Sequence, residues 1–196
     1  YLRDKLVQAE KSFRNFANNT DYTAVVINYG KEDIKRFQMS PDGYIQMAFQ
    51  LAYFRLHEDP HISVYESAST KSFLGGRTEA IRSVTSDSLN FIKAMDDPKL
   101  SLKAKRSLLR QACLTHRKNA VNATKGLAVD RHLFALHGVA CELSSEGSFV
   151  IPSLFVDPLW ARLQTSVLST SNVNSPLGPG IVSVSFNLYY FNISNT

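Results

Sequence analysis

Apolar positions along the chain change their spacing repeatedly, and each change predicts an element. From Leu2 to about Phe16 the apolar residues are separated by charged and polar ones, as in a surface helix, and the Asn18-Asn19-Thr20-Asp21 cluster breaks it. Thr23 to Tyr29 is a β-branched run that reads as a buried strand. Gly30 to Gln38 is charged and reads as a loop. Ser40 then offers an N-cap and Pro41 a first helical position. The helix that follows, Tyr44 to Phe54, is apolar on nearly every side, interrupted only by Gln46 and Gln50. Such a helix is expected inside a sizeable core and needs cover all round.

Beyond it, Ser63 to Tyr65 predicts a short strand and Gly75-Gly76 a turn or a close backbone approach. Helices are predicted at Asp87 to Met95, Leu102 to about Lys118, and about Val129 to Leu143. In the second, Leu108, Leu109, Ala112 and Cys113 share one face, while Lys103, Lys105, Arg106, Arg110 and Arg117 lie mostly elsewhere. Gly147, Pro152 and Pro158 mark loops. Val167-Leu168 leads a strand into Ser169-Thr170-Ser171. Val182 to Tyr190 alternates apolar and polar residues as a half-buried strand does. The mixture predicts an α/β (α+β) fold without internal repeats.

Composition narrows the picture only a little. The 196 residues, 44% hydrophobic, suit one domain or one lobe of a larger fold. A net charge of +5 can attract anions of any kind and chooses none. Cys113 and Cys141 cannot build a disulfide framework; both fall in apolar helical stretches and read as buried thiols in a reducing compartment. No run is long enough to span a bilayer. The chain opens at Tyr1 in a helical pattern, so any targeting segment would lie upstream of it. His57 and His61 have metal-like spacing, but Pro60 between them argues against a continuous helix, and no metal is predicted.

Several segments carry a resemblance when taken in order. They are Gly30-Lys31-Glu32-Asp33-Ile34-Lys35 with Ser40-Pro41-Asp42; Tyr65-Glu66-Ser67-Ala68-Ser69 with Gly76-Arg77-Thr78-Glu79; Asp130-Arg131-His132-Leu133-Phe134-Ala135-Leu136; and Val167-Leu168-Ser169-Thr170-Ser171. Together they resemble the choline/carnitine acyltransferase family from about Val25 to Ser175. Asp157-Pro158, the serine element and Asn174-Ser175-Pro176 are most similar to the matrix (type 2) carnitine palmitoyltransferase branch. Ser67-Ala68-Ser69 and Lys93-Ala94-Met95-Asp96-Asp97 are similar to the acetyltransferase branch. The resemblance implies that residues 1–196 are the C-terminal lobe of that fold, a chloramphenicol-acetyltransferase-like mixed sheet with packed helices. It also implies an upstream catalytic lobe outside this sequence.

By the same resemblance, Lys31, Lys35 and Asp42 bind coenzyme A. Its phosphates want cations, which flexible lysines supply as point charges. Tyr65, Ser67, Thr78 and Arg131 are implied to hold carnitine, whose carboxylate wants a guanidinium and hydroxyl donors. From the residues alone, Arg131 reads as an ion pair with Asp130 or as a surface charge. The family commonly has a second threonine where this chain has Ala80. Ser171 is implied to stabilise the oxyanion of the transfer.

The family's general base is a histidine followed four residues later by Asp-Gly. None of His57, His61, His116, His132 and His137 has that context, and His132 reads as structural. The resemblance therefore implies part of a carnitine O-acyltransferase for long-chain acyl groups and mitochondrial fatty acid oxidation. Coenzyme A would be co-substrate, with no bound cofactor. Acyl-coenzyme A, carnitine and the upstream lobe are the partners, with peripheral association at the inner membrane on the matrix side. The chain alone would be inactive, and an inactive fragment or truncated isoform with weak ligand binding is the alternative. Nucleic-acid binding rests on charge alone and is not predicted.

Overall fold

The structure, a computed structural model, describes residues 1–21, 23, 28–59, 62–147, 149–173 and 181–186. The chain forms two compact units, Tyr1–Gly30 and Lys31–Thr196. The first holds helix α1 (Leu2–Asn18), which buries no residue. Leu2, Leu6, Phe13 and Phe16 are all exposed on it. The strand predicted at 23–29 falls largely on residues outside those described.

The second unit opens with helix α2 (Lys31–Arg36), where a charged loop was expected. The sequence explains it in retrospect. Glu32 and Asp33 sit in the first turn and Lys35 and Arg36 in the last, with the macrodipole, and they pair three apart, Lys35 with Glu32 and Arg36 with Asp33. Ile34 is buried beneath them.

Helix α3 (Pro41–His57) starts as predicted. Ser40 Oγ accepts from the Gly43 N–H and Pro41 takes the first helical position. It ends at Glu58, which adopts a left-handed conformation (φ 58°), before Pro60. It is covered on one side only, where cover all round was expected. Gln46 and Gln50 lie on the buried side, while Ala48, Ala52 and Leu56 are exposed.

Two antiparallel strands follow, β1 (Val64–Ser69) and β2 (Thr78–Ile81). The turn between them is closed by glycines. Gly75 has φ +67°, and a Cβ on Gly76 would sit 1.9 Å from the Thr70 carbonyl oxygen, so no side chain fits there. Helix α4 (Ser86–Met95) begins with a reciprocal cap between Thr85 and Ser88. Helix α5 (Leu102–Thr124) runs longer than its pattern predicted, and helix α6 (Asp130–Ser145) follows. Two of the predicted loop prolines instead open helices. Pro152 precedes the short α7 (Ser153–Val156). Pro158 starts α8 (Pro158–Gln164), with Asp157 Oδ1 accepting from the Leu159 N–H at 2.8 Å. Strands β3 (Leu168–Val173) and β4 (Ile181–Phe186) complete the described elements.

The sheet order is β2-β1-β3-β4, with β1 and β3 parallel and the other pairs antiparallel. This mixed sheet with packed helices agrees with the predicted α/β class. The largest core cluster lies among α2 to α5, where Met47, Phe91, Ile92, Ala112 and Cys113 are buried, with Leu108 and Leu109 packed against them. A second joins Tyr53 to Val64 and Leu168, and a third joins Ala123 to Ala68 and Ile81. Gly43 lets α3 and α5 touch: an added Cβ would lie 3.3 Å from both the Cys113 carbonyl oxygen and His116 Nδ1.

Cys113 is buried, and burial pushes its thiol pKa up to about 11. Cys141, in contrast, is exposed on α6, contrary to the sequence reading. His132 is also exposed. His137 is the packed histidine of that helix, its ring 5.0 Å from that of Phe155 and 5.7 Å from Trp160. No described helix is long and apolar enough to cross a membrane.

Candidate functional site

Side chains alternate between the faces of a strand, and paired residues share a face. Val64, Glu66 and Ala68 of β1 therefore point one way, with Glu79, Ile81, Leu168 and Thr170, and all are buried. Tyr65, Ser67 and Ser69 point the other way, with Thr78, Ala80, Ser169 and Ser171. Of these only Ala80 is buried. Every residue that the resemblance placed on a strand for carnitine or the oxyanion thus falls on one sheet face. Tyr65 stands beside Ser169 in the register, and Ser171 lies one alternation further along.

Arg131 joins this group from α6. Its Nε donates to the Thr78 carbonyl oxygen at 3.1 Å and its guanidinium to Thr78 Oγ1 at 3.1 Å. The rival pairing with Asp130 is not made. Asp130 instead accepts from Arg82, which also donates to Ser63 Oγ and the Leu163 carbonyl oxygen. Arg131 stays exposed, so a positive charge and the Thr78 hydroxyl open together to solvent at the β2 edge. The start of α6 is fixed by Glu79, whose Oε1 accepts from the Arg131 N–H at 3.2 Å and the Ala80 N–H at 2.7 Å.

The residues expected at the coenzyme lie elsewhere, on α2 and the start of α3. Lys31 is exposed, and Lys35 Nζ lies 3.0 Å from Glu32 Oε1. Lys35 also lines a cavity of about 390 Å³ with Gln38, Ser40, Arg110 and Arg117. Arg110 donates to the Phe37 carbonyl oxygen, and its Nε has no hydrogen-bond partner among the described residues. The sequence reading had set these two arginines aside as a helix's outer face. The usable signal was their seven-residue spacing, which puts both on the face that carries Cys113 towards α3.

Asp42, half-buried, faces inwards rather than joining the lysines. It belongs to a buried group that sequence reasoning missed. His116 Nε2 is 2.8 Å from Glu66 Oε2, and Ser83 Oγ donates to the same oxygen. One donor atom each from Asp42, Glu66 and His116 lies within 4.8 Å of the others, the spacing of a cation site. The imidazole already supplies a counter-charge beside the carboxylates. Burial opposes charging the ring, but the hydrogen bond and charge of Glu66, with the charge of Asp42, outweigh it and raise the His116 pKa. With both ring edges enclosed, His116 cannot meet a substrate hydroxyl as a base.

Thr170 is held in the same manner from α3, its Oγ1 3.0 Å from Gln46 Nε2 and 3.1 Å from Gln46 Oε1. Gln50 donates to the Ser83 carbonyl oxygen at 3.1 Å. These bonds explain why the two glutamines face inwards: each satisfies a polar group that burial would otherwise leave unpaired.

Comparison with known proteins gives one family model, that of choline/carnitine O-acyltransferases, matching residues 1–192. A putative mitochondrial carnitine O-acetyltransferase of Saccharomyces cerevisiae is 43% identical over 178 residues, 90% of this chain and 26% of that protein. Choline O-acetyltransferase of Rattus norvegicus is 39% identical over 86% of this chain and 26% of its own length. Carnitine O-acetyltransferase of Homo sapiens is 38% identical over 88% of this chain and 27% of its own length. The chain spans about a quarter of the length of these curated relatives.

Proposed function

The chain belongs to the choline/carnitine acyltransferase family, and from that premise we propose that the protein transfers an acyl group between coenzyme A and carnitine. In this reading residues 1–196 are the C-terminal part of the enzyme, and the general base comes from residues outside this sequence. The observation that carries the choice of carnitine is the Arg131–Thr78 pair, open to solvent beside Tyr65 and Ser67. Carnitine has a carboxylate for that guanidinium and hydroxyl, and choline has none.

Tyr65, Thr78 and Arg131 hold the carboxylate, with Ser67 beside them. Carnitine's hydroxyl, deprotonated by the base, attacks the thioester carbonyl, and the coenzyme thiolate leaves. The Ser171 hydroxyl donates to the oxyanion formed on the way. Lys31 and Lys35 meet the coenzyme phosphates, and Arg110 and Arg117 enlarge that positive field from the neighbouring cavity wall. Asp42 acts at the coenzyme end through the start of α3.

The named relatives support an acetyl group and, through the yeast protein, a mitochondrial setting. A long-chain acyl group is a second reading, supported by Asp157-Pro158 and Val167 to Ser171 with Asn174-Ser175-Pro176. Fatty acid oxidation and attachment to the matrix face of the inner membrane stand or fall with it. The complete protein, assayed with acetyl- and palmitoyl-coenzyme A against carnitine and choline, tests all of this. Transfer to carnitine is expected, and transfer to choline alone would overturn the reading. The chain by itself is expected to bind without turnover.

A further inference from the structure

Glu66 lies between Tyr65 and Ser67 in sequence but on the opposite face of β1. Its carboxylate is clamped by His116 of α5 and Ser83. The far edge of the imidazole, Nδ1, has no hydrogen-bond partner among the described residues and abuts the start of α3 at Gly43. Asp42, next in the chain, brings its carboxylate close from that helix. The charged groups acting on the ring are thus Glu66 from β1 and Asp42 from α3. Cys113, one turn earlier on α5, is a buried thiol that stays neutral.

We propose that His116 is a positioning residue for the acyl transfer: it draws Glu66 and Asp42 towards one another and so sets Tyr65 and Ser67 against the coenzyme-holding end of α3. The inference rests on the carnitine reading of Tyr65 and Ser67. The physical case is short. A strand residue shares peptide planes with both neighbours, so a displaced Glu66 carries Tyr65 and Ser67 with it. With the ring protonated, each carboxylate faces a positive charge. Without that proton, the buried Glu66 and half-buried Asp42 carboxylates stand close together beside a neutral ring and repel. The raised pKa places this change on the alkaline side of the ordinary histidine range. A displacement of about 1 Å at a reacting group can cost on the order of a hundredfold.

The test uses the complete protein and follows the KM for carnitine from neutral to alkaline pH. The unaltered protein is compared with the double variant His116→Gln, Glu66→Gln, which keeps side-chain volume and removes both charges. The general base titrates on the acid limb, so the alkaline limb is free for this question. In the unaltered protein the KM for carnitine is expected to rise about tenfold through a midpoint that coincides with the imidazole titration of His116 followed by NMR. The double variant is expected to lack that limb. A merely structural pair would move melting temperature with pH and leave the KM profile alone. The same limb in the double variant, or midpoints that disagree, would overturn the proposal. Should the double variant not fold, agreement of the two midpoints in the unaltered protein decides. Absence of transfer to carnitine in the unaltered protein is a separate failure, that of the functional reading, and takes this inference with it.

Discussion

The two faces of the sheet are built from the same strands and do opposite work. The inner face carries Glu66, Glu79 and Thr170, three buried polar residues, each bonded to a helix: His116 on α5, the Arg131 N–H on α6, Gln46 on α3. The outer face carries Tyr65, Ser67, Thr78, Ser169 and Ser171, exposed or half-buried. Each inner polar residue stands next in sequence to outer ones. The contrast teaches how alternation can be used. Anchoring bonds on one side fix the strands' height and register, and the other side carries the residues proposed to meet ligands. A change on the inner face should therefore act first on stability, reaching kinetics only through the strand it holds, and one on the outer face on kinetics alone.

The sharpest way to break this contrast is Glu66→Ala. It strips the buried His116 of its partner and should cost about 3–5 kcal/mol of stability, read as a lower melting temperature. Because His116 titrates above its unfolded value, the pair's contribution is full below that unfolded value. It fades as pH rises through the folded one. The unaltered protein should thus lose melting temperature towards alkaline pH, and Glu66→Gln should blunt that loss. A pH-independent difference between the two would place the raised titration elsewhere.

On the outer face, Ser171→Ala should lower kcat about a hundredfold, since a lost oxyanion donor typically costs that or more. Melting temperature should not change. Smaller again, Arg131→Ala should raise the KM for carnitine more than tenfold, consistent with about 1.5–3 kcal/mol for a hydrogen bond to a charged group. The KM for acyl-coenzyme A should hardly move. If Arg131→Ala melts early instead, its bonds to Thr78 anchor the fold and the contrast between faces fails at β2. The smallest effect is expected from Lys31→Ala with Lys35→Ala. The KM for acyl-coenzyme A should rise several-fold, and more at low salt, as exposed charge contacts dictate.

Much of the outer face could be read from sequence because its residues sit in contiguous motifs. Tyr65 and Ser67, and Ser169 and Ser171, stand two apart, and once β1 had formed beyond the predicted Ser63 to Tyr65 that spacing put each pair on one face. The inner network could not be read that way. Glu66 and His116 are fifty residues apart, each a lone polar position in its element, and only the packing of α5 on β1 makes them partners. The partners of Gln46 and Gln50 were hidden for a related reason. Pattern reading sends polar positions outwards, whereas these two meet buried acceptors and donors on the sheet side. The short helix α2 hid because six charged-rich residues show no apolar period. Besides α1, exposed apolar side chains lie on α6 to α8, where Phe134, Val139, Leu154, Val156 and Leu159 are exposed.

Gly43 has a consequence for anyone who would redesign this protein. The clearance between α3 and α5 at that point is 3.3 Å even for a bare methyl carbon, against a backbone oxygen on one side and the edge of His116 on the other. The residue acts as a shim of zero thickness. Alanine there would wedge the helices apart by a few tenths of an ångström, and the wedge would sit beside Asp42. A library that varies residues around α3 and α5 should hold position 43 fixed, because every neighbouring side chain is packed to the gap it sets.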